Sequence, residues 1–405
     1  MTIARPHPVI DPARVVADLR ALARFGACGT GVSRPAFSSD DMAARRWLRD
    51  RFTDAGLAAE IDGVGTLLGR DPRAGRAVLA GSHSDSVPAG GWLDGALGVI
   101  YALEAARAWR DARPDATVGI DVVSFADEEG THAACLGSQA FCGALDETIL
   151  QAEPLERAMA GAGLSGRPGH RLDPDRHRAY LEAHIEQGPR LEAAGVDVGI
   201  VEGIVGLRRH WVRFDGQADH AGTTPMAMRQ DAGRALFGFC VDLDRSFRAA
   251  AGPGSVWNIG IVRVEPGAAN VVPSRAEVMV EYRDLDPAVI ERMTGALTAA
   301  AAACGSPPVV TPAGALHPAA MDPGLRADFE AAAATLGATS LTMPSGAGHD
   351  AMILARAVPA AMLFVPSIGG RSHDISENTS EADIGRGAAV FAAAAFRVLD
   401  GLEDL

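Results

Sequence analysis

A short apolar run over 77–81 (AVLAG) ends at His83. A helical stretch follows over 95–110, and a second apolar run over 117–126 ends at Asp127-Glu128-Glu129. This succession constrains the fold more than any other feature of the chain. Two buried strands joined through a helix form a βαβ crossover, which places them parallel in a parallel or mixed sheet. The polar residues stand where the strands finish, and open α/β sheets bind ligands beyond the carboxyl ends of their strands. The segment between them, SDSVPAGGWLDG, is rich in glycine, which lets backbone and ligand approach closely. A turn needs glycines, but it needs neither His83 nor Asp94.

The flanking pattern is helical over 11–25 and 40–56, with Asp11 and Ser38-Ser39-Asp40 as caps. The character changes after about residue 205, where 208–215 and 275–284 alternate like half-solvated antiparallel strands. The stretches 227–249 and 287–304 read as helices. From about residue 320 a helix (GLRADFEAAAATLG), a strand (AAMLFVP) and an alanine-rich helix over 382–399 follow. The chain leaves an α/β domain, builds an inserted α+β domain, and returns.

Composition narrows the partners. Lys and Arg number 37 against 51 Asp and Glu, and the net charge of −14 argues against nucleic acid or an anionic membrane. Five cysteines, an odd number without a CxxC, read as reduced thiols of a cytoplasmic protein. The N-terminal MTIARPHPVIDPARVVADL lacks the apolar core of a signal peptide, and no apolar window reaches the roughly 18 residues of a membrane span. No GxSxG marks a serine hydrolase. Gly29-Thr30-Gly31 opens like a dinucleotide loop but has no strand before it and no third glycine.

Further segments carry groups that could join His83 and Asp94: Glu128-Glu129 in DEEG, His184 in EAHIEQGP, His220 in QADHAGTTP, His349 in SGAGHDA and His373 in GGRSHDISE. A metal site needs three or four such ligands converging from distant segments, and a pair of ions needs a carboxylate shared between them. Two histidines and an aspartate could serve one ion; the same aspartate, a glutamate and a third histidine could serve the other. Of the adjacent glutamates, one could bind metal and the other stay free as a general base. Asp85 could orient the His83 imidazole from behind. Cys135 and Cys142 have no base beside them in the sequence to make a thiol nucleophile.

The ordered set GSHSDS…GGWLDGALGV, DEEG, EAHIEQGP, GQADHAGTTPM, NVVPSRAEVMVEYRD, SGAGHDA and SH…E resembles the M20 metallopeptidase-related amidohydrolases. The similarity is greatest to the carbamoylase branch, which comprises N-carbamoyl-L-amino acid hydrolase, allantoate amidohydrolase and beta-alanine synthase. The resemblance implies an α/β fold: a discontinuous catalytic domain with a mixed sheet and flanking helices (1–206 and 319–405) and an inserted α+β lid and dimerisation domain (207–318). It implies two divalent ions per subunit (zinc, manganese, cobalt or nickel), one held by His83, Asp94 and His184, the other by Asp94, Glu129 and His373. Glu128 would be the general base. His220 would stabilise the oxyanion in the neighbouring site of a homodimer. Asn270 and Arg283 would hold the substrate carboxylate, with Gln187 and His349 lining the site. The expected reaction is hydrolysis of the ureido C–N bond of an N-carbamoyl-L-amino acid or of a ureido acid such as allantoate, with release of ammonia and carbon dioxide. An aminoacylase- or peptidase-like hydrolase, or a retired small-molecule-binding scaffold, are the alternatives. Thr131-His132-Ala133, Leu207 and Asp374-Ile375 depart from the branch pattern and bear on the substrate rather than on the ligands.

Overall fold

The computed structural model describes residues 8–403, so the first seven residues of the N-terminal stretch read for a leader lie outside the described residues. The chain forms two compact units, one built from Met1–Glu202 and Met321–Leu405, the other from Gly203–Ala320.

The first unit is a mixed sheet with flanking helices, the α/β class expected. Its centre is four parallel strands in the spatial order Ala360–Val365, His177–Ile185, Arg76–His83 and Val118–Phe125. Antiparallel strands continue it on both sides: Leu67–Arg70 and Ala58–Ile61 beyond one edge, Val198–Ile204 beyond the other. Arg76–His83 and Val118–Phe125 read as unbroken apolar runs because both faces are covered. Helix Ala96–Ala112 makes the crossover between them and is buried along nearly its whole length. It lies so close to the sheet that a Cβ on Gly98 would come within 2.3 Å of the Ala183 carbonyl oxygen.

The caps read from sequence form as written: the Asp11 side chain accepts from the Ala13 and Arg14 N–H groups, and Ser38 accepts from Asp41. These start helices Pro12–Leu22 and Ser39–Asp54, and helices Pro323–Thr335 and Glu381–Glu403 complete the cover. Among the described residues, no helix is long and apolar enough to cross a membrane.

The sequence pattern leaves His177–Ile185 unassigned, although it is a central strand. Its Glu182 looks like a solvent residue but is fully buried. It accepts hydrogen bonds from Ser82 Oγ, Tyr180 Oη and the Ala351 N–H.

The second unit is α+β. Four antiparallel strands stand in the order Val256–Glu265, Arg275–Asp284, Gly206–Asp215 and Val309–Leu316. Alternate residues Val212, Phe214, Val278, Val280 and Tyr282 face helices Ala232–Ala250 and Pro287–Ala302, whose Leu236, Phe239, Phe247 and Met293 complete this core.

Candidate metal centre

The four parallel strands end on one edge of the sheet, and each leads into the cluster. His83 closes its strand level with Phe125, and Asp127, Glu128 and Glu129 follow Phe125 directly. His184 is level with Phe364, and the chain beyond Val365 leads to His373. Asp94 stands in the loop before helix Ala96–Ala112 and presents its two oxygens to different partners. Its Oδ1 lies 3.7 Å from His83 Nε2 and 3.0 Å from His184 Nε2. Its Oδ2 lies 3.3 Å from His373 Nε2, which is 3.5 Å from Glu129 Oε2. In each of the two sets, His83–Asp94–His184 and Asp94–Glu129–His373, ligand atoms from all three residues lie within 4.8 Å of one another.

Gly95 makes this approach possible. Its φ is +64°, and a Cβ there would stand 2.4 Å from the His83 ring. Its N–H donates to His184 Nε2 at 3.2 Å.

The imidazoles are oriented by main-chain carbonyls. His83 Nδ1 is 3.1 Å from the Asp85 carbonyl oxygen, and His184 Nδ1 is 2.9 Å from that of Ile185. A carbonyl only accepts, so Nδ1 of each ring carries a proton, and Nε2 is the atom turned toward Asp94. Asp85 therefore touches His83 through its backbone. Its carboxylate is 3.8 Å from that ring and faces the buried Arg45 guanidinium at 3.5 Å and the Glu129 N–H at 3.3 Å.

The electrostatics follow from burial and crowding. Burial pulls the His83 ring down to about 4. Burial acts the same way on His184, but its hydrogen bond with Asp94 outweighs this and raises the ring to about 9. The Asp94 hydrogen bond raises His373 to about 9 as well. Burial works against the Asp94 carboxylate, yet its bonds with His184 and His373 hold it well below the usual range. Burial, then the Asp94 charge, push Glu129 up to about 8. Glu128 is raised well above a normal carboxyl by burial, then by Asp350 and Glu129.

Glu128 sits outside both trios, with Oε2 3.6 Å from His83 Nε2. Gln187, held at φ +57°, donates from Nε2 to Asp94 Oδ2 at 3.2 Å. The His349 ring is buried edge-on against His184, with centroids 4.4 Å apart, and its Nε2 pairs with Ser345 Oγ at 2.9 Å.

His220, Asn270 and Arg283 belong to the second unit. His220 is on an exposed turn where its Nδ1 accepts from the Gly222 N–H, and the Asn270 carbonyl accepts from the Ala221 N–H beside it. Arg283, on strand Arg275–Asp284, pairs with one oxygen of Glu281, Oε1, through Nε at 2.8 Å and Nη2 at 2.7 Å.

Two buried groups behind the cluster escape sequence reasoning. Arg45 bonds Asp41 and the carbonyls of Ser124 and Phe125; on a helix it reads as an ordinary surface cation. Glu377 is buried and raised to about 7 by burial and then by Asp94; it is the glutamate that closes the SH…E motif, where the resemblance assigns it no role.

The residues fit divalent ions. The imidazole Nε2 atoms of His83, His184 and His373 and the carboxylates of Asp94 and Glu129 converge, and Glu129 Oε1 is buried without a hydrogen-bond partner. A divalent cation competes with the proton for these Nε2 lone pairs.

The model of peptidase family M20/M25/M40 matches residues 79–397. The N-carbamoyl-L-amino-acid amidohydrolase of Paenarthrobacter aurescens is 32% identical over 395 residues, covering 93% of this chain and 95% of that one. The allantoate amidohydrolase of Escherichia coli is 32% identical over 389 residues, 92% of this chain and 94% of that one. A crystal structure of an amidase of the hydantoinase/carbamoylase family from Burkholderia phymatum superposes with a TM-score of 0.92 at 45% identity, covering 98% of this chain and 99% of that one.

Proposed function

The chain belongs to peptidase family M20/M25/M40, and from that premise we propose that it hydrolyses the ureido C–N bond of an N-carbamoyl-L-amino acid or a related ureido acid such as allantoate. One water is consumed, and the products are the free amine, carbon dioxide and ammonia. One observation carries this reading: Asp94 turns one oxygen to His83 and His184 and the other to His373, while Glu128 stands beside the cluster without joining either trio.

In this reading His83, Asp94 and His184 hold one divalent ion, and Asp94, Glu129 and His373 the other, with Asp94 shared. Zinc, manganese, cobalt and nickel suit the mixed imidazole and carboxylate donors. Bound there, such ions lower the pKa of water toward neutrality and polarise a carbonyl. Glu128 receives the proton of the attacking water on its carboxylate and returns it to the leaving nitrogen. Burial and neighbouring acids raise its proton affinity, which suits a group that must hold a proton between the two transfers.

Residues 207–318 act as lid and dimerisation domain. His220 stabilises the oxyanion in the neighbouring site of a homodimer. Arg283 exchanges its pair with Glu281 for the substrate carboxylate, and Asn270 also serves to hold that carboxylate. Gln187 and His349 line the substrate site, and the protein works in the cytoplasm.

The test is ammonia release from N-carbamoyl-L-amino acids, N-carbamoyl-beta-alanine and allantoate, using chelated protein reloaded with manganese, zinc or cobalt. Metal-restored release supports the reading. Cleavage of N-acyl amino acids without ammonia moves the reaction to amide hydrolysis. Silence with no metal retained assigns a binding role instead.

A further inference from the structure

We infer that Glu377 is a positioning residue that clips the Asp94 loop to the His373 loop and thereby sets the affinity of the Asp94–Glu129–His373 cluster for a divalent ion. The inference rests on the reading of that trio as metal ligands.

Glu377 is 2% exposed and uses both carboxylate oxygens. Oε1 accepts the main-chain N–H groups of Leu93 and Asp94, each at 3.2 Å. Oε2 accepts from Ser372 Oγ at 2.9 Å, and Ser372 directly precedes His373. Gln187 closes the ring. Its Nε2 donates to Ser372 Oγ at 3.1 Å and to Asp94 Oδ2 at 3.2 Å, which uses both of its amide hydrogens. The ring therefore runs from the Asp94 backbone through Glu377, Ser372 and Gln187 to the Asp94 carboxylate.

The space around Glu377 is equally specific. A Cβ on Gly91 would fall 1.8 Å from its carboxylate carbon, so the second glycine of the GGWLD loop leaves room for this acid. A parallel bond joins the same two loops, from Trp92 Nε1 to Asn378 Oδ1 at 3.3 Å.

The two trios depend on this clip unequally. His83 and His184 are buried on strands whose hydrogen-bonded ladders fix them. His373 is on a loop, its side chain is 51% exposed, and its φ is +54°. A non-glycine residue keeps that backbone only where its surroundings impose it. Loss of Glu377 loosens the Asp94 loop that both trios share, but it leaves His83 and His184 their strand support and removes that of His373, so the exposed trio loses more.

The test is cobalt(II) binding to the chelated full chain, read by equilibrium dialysis and by the visible absorption of each site. Wild type is expected to bind two ions. Glu377→Ala should keep the first and bind the second about 10- to 100-fold more weakly, the usual cost of losing a group that orients ligands from behind. Glu377→Gln retains an oxygen for the two main-chain N–H groups and should recover most of that affinity. Ser372→Ala, which removes one hydroxyl, should weaken the second ion alone and stands in if Glu377→Ala does not fold. Two ions bound to Glu377→Ala or Ser372→Ala with wild-type affinity and spectrum would overturn the inference but not the metal reading. Equal weakening of both ions would also overturn it. A wild-type chain that binds no cobalt overturns the metal reading and this inference with it.

Discussion

Glu128 and Glu129 are adjacent in the chain, yet they face different histidines: Glu128 Oε2 is 3.6 Å from His83 Nε2, and Glu129 Oε2 is 3.5 Å from His373 Nε2. The backbone turns just before them at Asp127, whose φ is +54° and whose Oδ2 accepts the N–H groups of His132 and Ala133. On the proposed function, this would split two like residues between proton transfer and ligation. Glu128→Gln should therefore keep its metal content and lose about 10²- to 10⁴-fold in turnover. Metal analysis alongside ammonia release checks both halves, and full turnover would remove Glu128 from the chemistry.

Gly95 separates packing at the site from packing of the core. Gly95→Ala puts a methyl 2.4 Å from the His83 ring on a backbone that L residues avoid, a strain of about 1–3 kcal/mol. The sheet lies beneath this loop, so the variant should fold with a lowered melting temperature. Its metal content and activity should fall far more steeply. Wild-type metal content would show that the His83 ring does not need that space.

Acid stability should depend on Asp121, buried in strand Val118–Phe125. It accepts Arg176 Nε at 2.7 Å and Nη2 at 2.9 Å, the Asp71 N–H at 2.8 Å, and pairs with His177 Nε2 at 3.1 Å. Burial opposes its ionisation, but His177 and Arg176 bring the carboxyl below its ordinary value. A depressed folded pKa contributes stability above the unfolded pKa of about 3.9 and loses it as pH falls through the folded value. Asp121→Asn should cost about 3–5 kcal/mol at neutral pH by leaving Arg176 without its counter-charge. Denaturant titrations from about pH 7 to about pH 3 should show this gap closing at the acid end. A constant gap would mean that Asp121 acts through packing alone.

Metal removal should abolish turnover reversibly while leaving the fold intact, because the core of the first unit is a sheet covered by helices and includes no ligand. Each ion present at about 100 times its Kd should add about 2.7 kcal/mol of stability. Melting with and without chelator measures this, and identical curves would count against bound ions.

Strand ends and caps are local properties, so they can be read from the chain. The apolar run before His83, the strand before Glu128, and the caps Asp11 and Ser38 were all legible. The strand carrying His184 was not, because Glu182 breaks its apolar pattern and only Ser82, Tyr180 and the Ala351 N–H make that acid tolerable in the core. Asp85 shows the same limit: its spacing from His83 marked it as a partner, but the contact passes through its carbonyl while its carboxylate serves Arg45 and Glu129.

By itself the sequence determined the parallel βαβ crossover, the inserted α+β segment and the residue types that could meet, since each is written in periodicity and in short motifs. Only the tertiary structure decided which of them meet and how. Asp94 faces three histidines from three segments, and Glu377 holds its loop from 283 residues away. Those contacts arise where strands distant in sequence end side by side, and no local pattern records a distance across a sheet.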